Sequence, residues 1–130
     1  VSKQFNHVQN IPTFGARRWQ RFTFENEAYF VVANQIGASV AYRWDISSNQ
    51  LNLSSPVVLN MSNASSVAVF EAHNSTYLAF SSDDQDLMSP DKIFRIEPDS
   101  VHGLRAVTVY IQSKSTRGYE RSLDVIHCLV

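Results

Sequence analysis

The chain is short of the residues that cross-link, punctuate or charge a fold. It holds one cysteine, Cys128, so no disulfide can close within it. Cys128 falls where an apolar or small residue stands elsewhere in the chain's internal pattern, and a buried structural thiol is its expected role. Four glycines leave no Gly-rich loop to cradle a phosphate. No apolar run approaches the length of a membrane span, and no segment carries a helical period. Net charge is −1, which argues against nucleic acid or an acidic membrane as the main partner, because both need a basic footprint. The four histidines, His7, His73, His102 and His127, share no metal-ligand spacing. Serine, histidine and aspartate are plentiful, yet no G-x-S-x-G elbow is present. A hydrolase has no positional support and no enzyme is expected.

What the chain does have is apolar content of 44% over 130 residues, enough for one domain with a packed interior. Its organising stretch runs from Ala16 to Asn34. Trp19, Phe22 and Phe24 form one arm, Glu25-Asn26-Glu27 a polar turn, and Tyr29 to Ala33 an apolar second arm. Aromatic and β-branched residues around an Asn-containing turn predict a hairpin. The same pattern returns at an offset of 48: Ile11 falls on Leu59, Ala16 on Ala64, Phe22 on Phe70, Asn26 on Asn74 and Tyr29 on Tyr77. After four extra residues around Asp83-Asp84-Gln85-Asp86 the offset becomes 52. Tyr42-Arg43-Trp44-Asp45 then meets Phe94-Arg95-Ile96-Glu97, Leu59 meets Ile111 and Val67 meets Tyr119. The third copy is only an opening, with Ser122 and Asp124 in place of Phe22 and Phe24.

The units are therefore set at 1–50, 51–100 (with an 83–90 loop insertion) and a divergent partial repeat at 101–130. The spacing predicts strands at His7–Ile11, along both arms of each hairpin, at Ser39–Ile46, and at Leu51–Leu59 with an interruption at Pro56. In the second unit it predicts strands at Lys92–Ile96 and Ala106–Gln112, separated by a turn at Glu97-Pro98-Asp99. Short strands at this spacing, four to a repeat, indicate an all-β fold of antiparallel propeller-type blades, with a β-sandwich as the alternative. A four-stranded sheet cannot cover both its faces alone, so such units stack.

The segments Gln9-Asn10-Ile11-Pro12-Thr13-Phe14-Gly15-Ala16-Arg17-Arg18-Trp19-Gln20-Arg21-Phe22, Tyr29-Phe30-Val31-Val32-Ala33-Asn34 and Ser39-Val40-Ala41-Tyr42-Arg43-Trp44 resemble the EAR repeat, also called EPTP, of secreted and cell-surface proteins. The second copy keeps Ala64, Phe70, Tyr77-Leu78-Ala79 and Phe94-Arg95 but loses the Pro, the Gly and the Ala-Asn pair. The resemblance implies blades of a propeller that binds other extracellular proteins, with no catalytic residues to carry over.

Four Asn-x-Ser/Thr triplets at Asn52, Asn60, Asn63 and Asn74 lie within 25 residues and point to a secreted, N-glycosylated surface. Asn60 and Asn63 are too close for both to be expected to carry a glycan. The opening Val1-Ser2, without Met, is expected of a processed or excised piece. Aromatics recurring at equivalent positions (Trp19, Phe22, Phe24, Tyr29, Tyr42, Trp44, Phe70 and Tyr77) are read as packing between blades rather than as ligand sites. Arg17, Arg18 and Arg21 read as a solvated strand face. The loop of Asp83, Asp84, Gln85 and Asp86 is the candidate partner contact, since loops on rigid blades carry specificity. Calcium there is unsupported by spacing, and no cofactor is expected. The functional expectation is an extracellular protein–protein interaction module. The alternatives are a self-assembling structural unit, whose uncovered blade faces pair between copies, and a glycan-binding module.

Overall fold

Each aromatic-rich run becomes a strand, and each Asn-containing turn reverses the chain. The computed structural model describes residues 5–83, 89–101 and 103–112. The first hairpin pairs β1 (Ala16–Phe24) with β2 (Glu27–Asn34). Glu25 and Asn26 have φ of 50° and 65°, the two left-handed residues that a tight turn with the twist of its strands requires. β3 (Ser39–Asp45) pairs antiparallel with β2. Its outer edge is filled in two pieces, β4 (Gln50–Leu51) and β5 (Val57–Leu59), with Pro56 in the gap between them. The second sheet repeats the plan in the order β6 (Ala64–Ala72), β7 (Ser75–Ser82), β8 (Asp91–Asp99) and β9 (Gly103–Gln112). Here the outer strand is continuous.

The two sheets agree in register. Phe22 faces Tyr29 and Phe70 faces Tyr77; Tyr29 faces Arg43 and Tyr77 faces Arg95. Both first strands carry an irregularity two residues long at their start, Ala16/Arg18 and Ala64/Ser66. The second turn, His73-Asn74, again has two positive φ values, 51° and 64°. Gly15 (φ 71°) is answered by Asn63 (φ 53°), and each carbonyl accepts a bond from the residue just past β2 or β7: Gln35 N at 2.9 Å and Asp83 N at 3.0 Å. Asparagine keeps the left-handed residue where the glycine is lost, since its short polar side chain tolerates that region. The last N–H of the second strand is capped both times by the first side chain of the third, Asn34 N to Ser39 Oγ at 3.1 Å and Ser82 N to Asp91 Oδ1 at 2.9 Å.

The register also assigns the faces. One face of the first sheet carries Phe22, Tyr29, Val31, Ala33 and Ala41. It packs on Val67, Leu78, Phe80, Phe94, Ile96 and Leu104 of the second, with Leu59 and Met61 sealing the margin. These residues of the second sheet are the counterparts of Trp19, Phe30, Val32, Tyr42, Trp44 and Leu51–Asn52 in the first. The two sheets therefore stack like successive blades, the front of one against the back of the next. This is the all-β, antiparallel blade architecture expected.

Two local expectations are corrected. His7–Ile11 is not a strand. Its counterpart, residues 55–59, ends in β5, which pairs with the third strand of the sheet before it; for His7–Ile11 the described residues offer no such strand. The segment is held instead by side-chain amides: Gln9 Nε2 donates to Leu51 O at 2.8 Å, Gln9 Oε1 accepts from Leu51 N at 2.9 Å, and Gln50 Nε2 donates to Val8 O at 3.0 Å. Likewise Glu97-Pro98-Asp99 is not a turn but the end of β8. β8 pairs with β7 only as far as Arg95 and with β9 throughout. Pro98 thus lies where one edge of the strand is open, a place that tolerates a missing N–H.

Candidate interaction surfaces

Strand alternation splits the recurring aromatics into two sets with different fates. Phe22 and Tyr29 stack at 5.3 Å and are buried between the sheets, 3% and 2% exposed. Phe24 and Tyr42 also pack inward, the latter on the opposite face. Phe70 and Tyr77 stack in the same way at 5.0 Å but are only half-buried. Trp19 is exposed and Trp44 half-buried. Recurrence therefore identifies equivalent positions but not equivalent cover.

The outer face of the first sheet forms a groove of about 490 Å³. Its floor is Trp19, Phe30, Trp44 and Leu51, and the lead-in residues Val8, Gln9 and Ile11 make one wall. Val32, Val40, Tyr42 and Leu51 pack beneath. Trp19 lies 6.5 Å from Tyr42 and Phe30 lies 6.1 Å from Trp44, so the aromatics brace one another. The Gln9–Leu51 amide pair fixes the wall against the floor. Phe30, Gln9, Ile11 and Leu51 entered the sequence pattern as repeat and strand positions, not as site residues. The available signal was Arg21, which stands where the second repeat has Val69.

A second, polar cleft of about 740 Å³ lies between the two hairpin tips, lined by Glu25, Asn26, Glu71, Asn74, Arg95, Glu97 and Arg105 among others. Glu97 accepts from Arg95 Nε at 2.9 Å and from Arg105 Nη2 at 3.1 Å. Its bonds from Arg95 and then Arg105 hold the carboxyl below the ordinary glutamate range, and the same contact raises Arg95. On the neighbouring rim Tyr29 is raised by burial first and by Glu27 second. The Arg95–Glu97 and Arg105–Glu97 contacts are mutually neutralising pairs.

Of the candidate partner loop, Asp83 ends the second hairpin: its N–H bonds Asn63 O, and its Oδ2 lies 3.9 Å from Arg17. Asp84, Gln85 and Asp86 lie outside the described residues, as do His102, His127, Cys128, and the third repeat beyond Gln112. Among the described residues no group of three His, Cys, Asp or Glu side chains is placed to hold a metal ion. Arg17, Arg18 and Arg21 are all exposed on β1, and Arg17 also bonds Gln35 at 3.2 Å.

The four glycosylation triplets sit in distinct settings. Asn74 is exposed on a hairpin tip, and Asn60 is exposed between the sheets. Asn52 is half-buried, and its Oδ1 accepts from Ser54 N and Oγ at 3.0 and 2.7 Å. Asn63 is half-buried, with Nδ2 donating to Ser89 Oγ at 3.3 Å. No helix among the described residues is long and apolar enough to cross a membrane.

Residues 4–45, spanning the lead-in, the first hairpin and the third strand, match the family described as the EPTP domain. No curated protein matches the chain.

Proposed function

From the EPTP-type repeat at residues 4–45, we propose that this chain is a non-catalytic, extracellular protein–protein interaction module of propeller type. The observation that carries the reading is the match itself, doubled by a second sheet with the same register. Supporting it are the rigid stack of two blades and an aromatic groove open on its outer face, the kind of firm, concave surface on which protein partners are held. The charged side chains that meet do so as pairs of opposite sign, which favours recognition over chemistry.

The secreted setting is proposed from the four triplets. The geometry favours Asn74 as a glycan acceptor and disfavours Asn63, whose amide is already engaged. The loop beginning at Asp83 remains a proposed contact acting through charge. The direct test applies the tagged full chain to a panel of cell-surface ectodomains. Saturable binding to at least one is the expected result; no binding to any would overturn the reading. Expression through a secretory pathway should add glycan mass that Asn74→Gln reduces.

A further inference from the structure

The two hairpin tips are equivalent in the repeat but differ in one chemical property. The first turns on Glu25-Asn26 and continues Glu27-Ala28; the second turns on His73-Asn74 and continues Ser75-Thr76. Only the second therefore makes an Asn-x-Ser/Thr triplet. Asn26 and Asn74 both line the polar cleft of about 740 Å³ that separates the tips. A glycan on Asn74 thus starts within the lining of that cleft, and both walls are supplied by this chain. Asn74 is exposed, and its side-chain amide makes no hydrogen bond among the described residues, in contrast to Asn52 and Asn63.

The lining is mixed in the way that a sugar is mixed. Phe24, Ile96 and Pro98 offer apolar surface on which the C–H face of a pyranose ring can pack. Glu25 and Glu71, one from each hairpin, are exposed and form no ion pair among the described residues. Their carboxylates can accept from sugar hydroxyls. Arg105 uses Nη2 on Glu97 and has further N–H donors for an acetamido carbonyl. A free monosaccharide held by such contacts would bind weakly. Attachment changes the arithmetic, because a tethered group is present at an effective concentration on the order of millimolar.

We propose that the glycan on Asn74 folds back into this cleft, where its first sugars bridge the two hairpin tips and clamp the sheets together at that end. This rests on the reading of Asn74 as a glycan acceptor and gives that glycan a structural role. The linkage forms when Asn74 Nδ2, losing a proton, displaces the diphosphate of a lipid-linked sugar donor from C1. The docking that follows makes no further covalent bond. A group that binds only the folded chain stabilises it.

The full chain is secreted from cells that make only high-mannose glycans, and also made without glycans in bacteria, each as wild type and as Thr76→Val. The substitution removes the triplet and keeps a β-branched side chain at a buried position. The bacterial pair measures the substitution alone; the secreted pair adds the glycan. Beyond the bacterial difference, the Asn74 glycan should raise the melting temperature by on the order of 3 °C. Trimming the folded wild-type chain to the first N-acetylglucosamine should keep most of that rise. Site-resolved mass spectrometry should show Asn74 trimmed on the order of tenfold more slowly in wild type than in Glu71→Arg, which fills the cleft and removes an acceptor. Glu71→Gln should behave as wild type. An occupied Asn74 with no added stability, or one trimmed equally fast in wild type and Glu71→Arg, would overturn the clamp and leave the acceptor reading intact. A rise unchanged in Glu71→Arg would also overturn it, since the glycan would then act through the unfolded chain. A secreted chain with no glycan on Asn74 would overturn both.

Discussion

Gly15 and Asn63 show what a repeat preserves when its letters change. The second copy drops the glycine of the first, yet the backbone keeps a left-handed residue there and the same carbonyl-to-N–H bond. Asn63→Gly should move stability by less than about 1 kcal/mol, whereas Gly15→Asn should cost about 1 kcal/mol, because asparagine tolerates the left-handed region but any Cβ at position 15 comes within 3.3 Å of Ile36. Gly15→Val should cost about 2 kcal/mol or more, since a β-branched residue is strained at φ 71° and its Cβ would come within 3.3 Å of Ile36. Urea denaturation of the three variants separates these cases. Glu97 gives a prediction in pH. Its folded pKa lies below the unfolded value of about 4.3, so its contribution is present above that value and fades as pH falls through the folded one. Glu97→Gln should therefore show a shallower loss of stability on acidification below about pH 4.3, read from melting temperatures across that range.

Elements were legible in the sequence to different degrees, and the reason lies in what each one pairs with. The two hairpins were plain because their partners are adjacent in sequence and their turns carry the residues that positive φ requires. Pro56 correctly marked a broken outer strand. His7–Ile11 misled because its β-branched and apolar residues suit a strand, but a strand also needs a neighbour, and that requirement is not written in the segment. Pro98 misled for the opposite reason, as a proline that sits on an open edge of a paired strand. The candidate groove was the least legible, because the repeat reveals which aromatics are equivalent but not which are covered. The contrast is measurable. Phe22→Ala should cost about 3–5 kcal/mol as a buried ring between sheets, whereas Phe70→Ala, at the same place in the repeat but half-buried, should cost roughly half as much. Equal losses in urea titrations would mean that the two sites are equally enclosed.

At the scale of the molecule the core belongs to neither sheet alone. Leu78, Phe80 and Phe94 of the second pack among Phe22, Tyr29 and Val31 of the first. Neither face can be exposed without exposing the other, so the two sheets should unfold together. Tryptophan emission, which reports only the first sheet, and far-ultraviolet circular dichroism, which reports both, should give superimposable denaturation curves. Leu78→Ala, a change confined to the second sheet, should lower the midpoint seen by both probes by the same amount. A fluorescence midpoint that stays at the wild-type value would mean the first sheet stands independently.

The short connection from Asn60 to Asn63 has a consequence of another kind. It leaves β5 complete on one side and starts β6 on the other, so it crosses no strand, while Met61 O accepts from Ser39 N at 2.7 Å and Asn63 N donates to Gln35 O at 2.9 Å. Cutting the chain there would divide the covalent polymer and leave every described ladder whole. The molecule is in this sense two interlocking castings joined by a thread, and the fit between the castings, more than the thread, makes them one body.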